Sequence, residues 1–230
     1  MNNQEISQVL CEHYSKTFIK HGRNSKGVDW GDNKFDHLLR LEKMLNVIDV
    51  TSISTANSIL DVGCGYGSLL EVIRQKKIPI KYTGIDISLP MINSAKGLHP
   101  NDEWKCVDIL NDSCSGQYDY VVCNGILTQK LNVSHKQMDR YAHDLIKKMF
   151  NLCRVGIAFN VMTTHVNFQV DNLYYRNPVE LLAWCMSELS SKIRIDHSYP
   201  LFEYTIYLYR DLDYKERGCD MKYNSALSSL

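Results

Sequence analysis

"SILDVGCGYGSLLEVI", residues 58–73, passes from a short apolar run through three alternating glycines, 63, 65 and 67, into an apolar segment with helical spacing. Glycines between a strand and a helix let the backbone turn sharply and let a ligand approach without Cβ interference. The spacing is G-x-G-x-G, not the G-x-G-x-x-G of a dinucleotide loop, and no Gly-Lys-Ser/Thr ending marks a phosphate loop. Asp61 stands at the mouth of the turn. A carboxylate within about 5 Å of a phosphate dianion would repel it by several kcal/mol at intermediate dielectric, whereas an ammonium group would be attracted. The loop therefore suits a nucleoside with a cationic, amino-acid-like tail.

Working outward, strand "SILDV" leads to a helix at 67–76, strand "IKYTGID" to a helix at 89–97, and strand "EWKCVDI" to a polar loop. Strand "YDYVVCN" is followed by a helix at about 135–150 that opens on a Ser-x-x-Gln capping box at Ser134. Strand "RVGIAFNVM" comes next, then an irregular stretch over 163–176. A helix opens at "NPVE", with Asn177 as cap and Pro178 in the first position. "KIRID" and "FEYTIYLYR" lie too close together to pair except as an antiparallel hairpin. Strands alternating with helices predict a doubly wound α/β domain with a mostly parallel seven-stranded sheet, an antiparallel C-terminal hairpin and N-terminal cap helices. The expected division is a helical cap over 1–50, the main domain over 51–212 and a polar tail over 213–230.

"ILDVGCGYGSLL" resembles the first motif of the class I S-adenosylmethionine-dependent methyltransferases, and the resemblance extends over residues 58–125. It implies that Asp61, Gly63 and Gly65 serve the methionine part of S-adenosylmethionine. Asp86, ending "YTGIDIS", matches the acid that binds the ribose hydroxyls, and Ile87 would pack on adenine. Asp108 in "CVDIL", with Ile109 beside it, matches the position facing the adenine amino group, although a turn-forming role suits Asp108 as well. Asn124 and Gly125 in "YDYVVCNGIL" fall beside the reacting methyl. Three acids at the ends of three consecutive strands, in that order, give the resemblance its specificity.

Methyl transfer is an in-line displacement that needs alignment, exclusion of water and, for many oxygen acceptors, a base. Asn124 and His165 are the catalytic candidates; His165 follows the fifth strand at the carboxyl end of the sheet. "HGRNSKGVDWG" (21–31) reads either as a cap hinged at Gly22 and Gly27, with Trp30 shielding the cofactor, or as an interhelical loop whose tryptophan fills a gap. On the first reading His21 and Lys26 reach the substrate. Tyr174 and Tyr175 could wall the acceptor pocket or anchor a long loop.

With 26 Lys plus Arg against 26 Asp plus Glu, the chain lacks the basic excess of a sequence-independent nucleic-acid binder. The fourth-strand position reads "CNGI" instead of the Asp/Asn-Pro-Pro-aromatic pattern of base-amine methylation. No apolar run approaches the roughly 20 residues of a membrane span. Eight scattered cysteines without a C-x-x-C pair suit a reducing cytoplasm and give no metal site. The expectation is a cytoplasmic monomer or homodimer, free of metal, nucleic acid and membrane, that methylates a small or medium polar acceptor, on oxygen rather than nitrogen. A glycan precursor or a secondary metabolite would fit. An RNA or protein methyltransferase and a noncatalytic cofactor-binding module are the alternatives.

Overall fold

A computed structural model describes residues 1–51 and 53–210; the polar tail expected over 213–230 lies outside the described residues. The chain opens with α1 (Asn3–His21), capped reciprocally by Asn2 and Glu5, a short 3₁₀ turn (Ser25–Val28) and α2 (Lys34–Leu45). Then follow β1 (Ser58–Val62), α3 (Ser68–Gln75), β2 (Lys81–Asp86), α4 (Leu89–Leu98), β3 (Glu103–Cys106) and β4 (Tyr118–Cys123). The second half holds α5 (His135–Leu152), β5 (Cys153–Thr163), β6 (Tyr175–Arg176), α6 (Pro178–Glu188), β7 (Ile193–Asp196) and β8 (Glu203–Tyr209). Ser134 and Gln137 form the capping box read from the sequence, and Asn177 caps α6.

The sheet runs β3-β2-β1-β4-β5-β8-β7. β1 to β5 are parallel, while β8 pairs antiparallel with both β5 and β7. The seven-strand expectation is exceeded by β6, which pairs Met162 with Tyr175 and Thr163 with Arg176. A two-residue strand carries no periodicity, so the irregular stretch concealed it. β3 is also shorter than expected: the chain leaves the sheet after Cys106, and Asp108 sits in the turn beyond it.

Alternation along the strands builds two cores. Leu60, Val62, Val121 and Phe159 pack with α1, α5 and α6, whereas Ile59, Tyr120, Val122 and Ala158 pack with α2, α3 and α4. Ile6 and Leu10 of α1 belong to the first core, and Leu41, Met44 and Leu45 of α2 to the second. The N-terminal helices thus grip opposite faces of the sheet. Burying each such aliphatic side chain contributes about 1.5–3 kcal/mol, which fixes α1 and α2 over the carboxyl ends of the strands. Strand order reverses between β1 and β4, and in a doubly wound sheet the ligand crevice opens there. No described helix is long and apolar enough to cross a membrane.

Candidate active site

At that reversal lies a cleft of about 950 Å³, its mouth included. Asp61, at the end of β1, is 3% exposed and accepts a 2.7 Å hydrogen bond from the Tyr82 hydroxyl. Burial pushes its carboxyl pKa up to about 7, against the pull of that hydrogen bond, and the neighbouring Asp86 charge adds to the rise. Asp86 ends β2. Its carboxylate accepts the Gly65 amide at 2.9 Å and the Ser88 amide at 2.8 Å, which offset part of the upward push of burial. Gly65 has φ +56°, a left-handed conformation that brings its amide to Asp86 without a steric penalty.

Asp108 accepts from the Leu110 amide at 2.9 Å and the Asn111 side chain at 2.6 Å, so it does form a turn, yet it also lines the cleft beside Ile87 and Ile109. Three aspartates and no lysine or arginine line this cleft among the described residues. Asn124, after β4, keeps a buried Oδ1 without a hydrogen-bond partner. A group that is cationic and donates hydrogen bonds satisfies all of these at once; a phosphate satisfies none.

The corner beyond Asn124 is built by the N-terminal segment. Asp29 adopts φ 62°, and its Oδ2 lies 2.8 Å from both His13 Nε2 and Gln129 Nε2. Pinned there, Asp29 turns its neighbours Val28 and Trp30 into the cleft. A Cβ on Gly27 would collide with the Gly22 carbonyl, whereas one on Gly22, at φ +73°, would meet open space. Trp30 lies over Gly125, and the Tyr14 hydroxyl donates to the Gly125 carbonyl at 3.3 Å.

The ten residues read from sequence as cofactor neighbours, Trp30 among them, all line this one cleft. The acceptor-side candidates are elsewhere. His165 is exposed, its ring 6.2 Å from that of His197. His21 and Lys26 border a separate depression on the outer side of the 3₁₀ turn, where Lys26 pairs with Asp32 at 2.7 Å. Tyr174 and Tyr175 are buried anchors; the Tyr174 hydroxyl donates to Asp139 at 2.7 Å, and that of Tyr175 accepts the Val170 amide at 3.3 Å.

His37 was missed. It lines the cleft from α2, edge-on to Trp30 with ring centroids 4.9 Å apart. Burial and the Arg40 charge lower its pKa to about 4, so the ring is uncharged at neutral pH. The sequence does hold its signal: His37, Leu41 and Met44 share a helical face, and Leu41 and Met44 are buried whereas Phe35 and Leu38 are exposed.

Comparison with known proteins gives matching results. Residues 60–156 match the Methyltransferase domain family. Rv1506c of Mycobacterium tuberculosis, provisionally named a methyltransferase, is 30% identical over 155 residues, covering 65% of this chain and 90% of that protein. The malonyl-[acyl-carrier protein] O-methyltransferase of Acetivibrio thermocellus is 35% identical over 124 residues, 51% of this chain and 38% of the relative. Among solved structures, magnesium protoporphyrin IX methyltransferase from Synechocystis with bound S-adenosylmethionine superposes with a TM-score of 0.63 at 14% identity, covering 91% of this chain and 98% of that one.

Proposed function

This chain belongs to the class I S-adenosylmethionine-dependent methyltransferases, and from that premise we propose that it methylates an oxygen of a small or medium polar acceptor entering at the Trp30–His37 corner. The observation that carries the reading is the cleft wall of three aspartates without a lysine or arginine. When bound, S-adenosylmethionine supplies an electrophilic methyl on a sulfonium. The chain's residues divide the remaining work. Asp61 and the free Oδ1 of Asn124 hold the amino group, Asp86 the ribose hydroxyls, and Ile87 and Ile109 the adenine faces. Asp108 has lone pairs left over from its turn for the adenine amino group.

Trp30 and Tyr14 exclude water from the reacting end. His37 is uncharged, so it can accept a hydrogen bond from an acceptor hydroxyl and aim the oxygen lone pair. A pKa of about 4 makes it too weak to ionise a hydroxyl beforehand, but basic enough to take the proton that the acceptor oxygen would release on methylation.

Titration calorimetry with S-adenosylmethionine and S-adenosylhomocysteine, with NAD as control, tests the cofactor half. Micromolar binding of the first two is expected, and binding of NAD instead would overturn it. A panel of hydroxyl, carboxyl and amine acceptors tests the other half. His37→Ala should slow turnover of a hydroxyl acceptor roughly 10- to 100-fold while leaving S-adenosylhomocysteine affinity unchanged. Turnover of amines alone would remove the oxygen assignment.

Asp61 gives the cofactor step a pH signature. Its pKa in the folded protein, about 7, stands well above the ordinary aspartate value, so protonation of Asp61 favours the folded state without ligand. That contribution is complete below the unfolded value and is lost as pH rises through about 7. An ammonium ligand selects the ionised form. Affinity for S-adenosylmethionine should therefore rise about tenfold from roughly pH 5.5 to pH 7, with proton release seen as buffer-dependent heats. Methylthioadenosine, which lacks the amino-acid tail, should show a flat profile; an equally steep one would remove Asp61 from the amino-group contact.

A further inference from the structure

Five residues around the reacting corner close a ring. The Arg40 guanidinium lies 5.0 Å from the Trp30 ring centroid. Trp30 lies against Gly125, whose amide donates to Asn160 Oδ1 at 2.9 Å. Asn160 Nδ2 donates to Glu203 Oε1 at 3.1 Å, and Arg40 Nε donates to Glu203 Oε2 at 2.9 Å. The ring joins the loop before α2, α2 itself, β8, β5 and the loop after β4. Asn160 and Glu203 are each 1% exposed, and neither lines the cleft. Among the described residues Glu203 is the one hydrogen-bond acceptor found for the Arg40 guanidinium, whose Nη1 is buried without a partner.

We propose that Glu203 is a positioning residue for methyl transfer: through Arg40 it holds Trp30, and through Asn160 it holds the Gly125 backbone, so that both walls of the reacting corner keep one geometry. This rests on the cofactor reading above. Both groups facing Glu203 are donors, so the position requires two acceptor oxygens. Its acceptance from Asn160 Nδ2 fixes which way that amide points, and hence that Oδ1 faces the Gly125 amide. A glutamine of the same shape would turn an NH₂ against either Arg40 or Asn160 and leave a buried donor unpaired. Arg40 would also lose its counter-charge in a buried setting.

The same count supplies a rescue. In Asn160→Asp/Glu203→Gln, the glutamine oxygen accepts from Arg40 and its amide donates to the new aspartate. The aspartate's second oxygen still accepts the Gly125 amide, and one negative charge remains in the ring.

The test is calorimetric titration with S-adenosylhomocysteine, together with the change in tryptophan emission on its addition; Trp30→Phe identifies the share due to Trp30. Glu203→Gln should bind about tenfold more weakly with a reduced Trp30 response, a loss of the size of one buried charged hydrogen bond. The double variant should return to within threefold of wild type with the Trp30 response restored. A Glu203→Gln protein that binds within twofold of wild type with an unaltered Trp30 response overturns the proposal, as does a folded double variant no better than the single. Should the single variant fail to fold, the double alone decides by the same thresholds. If wild type itself does not bind S-adenosylhomocysteine, the cofactor reading fails, an outcome distinct from a wild type that binds and variants that bind equally well.

Discussion

Asp86→Ala is expected to weaken S-adenosylhomocysteine binding by roughly two orders of magnitude. In the proposed complex a carboxylate accepts two ribose hydroxyls, and each hydrogen bond to a charged group is worth about 1.5–3 kcal/mol. Their joint loss is therefore about 3 kcal/mol or more, a factor above 100. The same substitution strips the Gly65 and Ser88 amides of their acceptor, which loosens the glycine loop itself. Folding stability should change much less than affinity. The unpaired amides cost free energy, but removing a buried carboxylate whose pKa is already pushed up by burial returns some of it. Asp61→Ala is the comparison. It deletes one ammonium partner and frees the Tyr82 hydroxyl, so a loss of about tenfold is expected. Titration calorimetry and thermal melting of the two variants separate the effects. An Asp86→Ala protein that keeps its affinity within threefold while Asp61→Ala loses more would reverse the assignment of the two acids.

The two halves of the cleft differed in how legible they were. Asp61, Asp86 and Asn124 stand at or just past the ends of three parallel strands adjacent in the sheet, and strands announce themselves by local apolar runs closed by glycine or polar residues. Once the strand ends are located, the sheet's topology carries those side chains to one crevice whatever the rest of the chain does. The acceptor side has no such local rule. His165 is a candidate by its place after the fifth strand, but β5 extends to Thr163 and β6 pairs along its end, which puts residue 165 on the surface. His37 reaches the cleft only because α2 packs Leu41 and Met44 on the second core and because Asp29, in a left-handed turn, directs Trp30 against it. Phe35 and Leu38, apolar residues of the same helix, are 65% and 40% exposed, so apolar spacing alone does not single out the buried face. Tertiary contacts chose the face. For Glu203, a charge at the first position of β8, the missing information is its partner on α2, 163 positions away.

The corner those contacts build should be intolerant of a single methyl group, and Gly125→Ala is the sharpest probe of it. Gly125 has φ +91°, where an L side chain is strained by about 1–2 kcal/mol. Its added Cβ would also meet Trp30 Cζ2 at 2.5 Å, and overpacking of this kind costs about 1–3 kcal/mol. Together a destabilisation of about 2–5 kcal/mol is expected, visible as a melting midpoint lower by about 5–20 °C for a chain of this size. S-adenosylhomocysteine affinity should fall at least tenfold, because the methyl displaces Trp30 from the reacting end or turns the Gly125 amide from Asn160. Adding Trp30→Ala separates strain from clash. Compared with Trp30→Ala alone, the double variant lacks the steric conflict and keeps the backbone strain, so Gly125→Ala should lower the melting midpoint less in that background than in wild type, while affinity stays low because the corner has lost its cover. A double variant that regains wild-type affinity would mean that Trp30 obstructs the cofactor and does not shield it, and the closed ring through Arg40 and Glu203 would then be holding the cleft shut against its ligand.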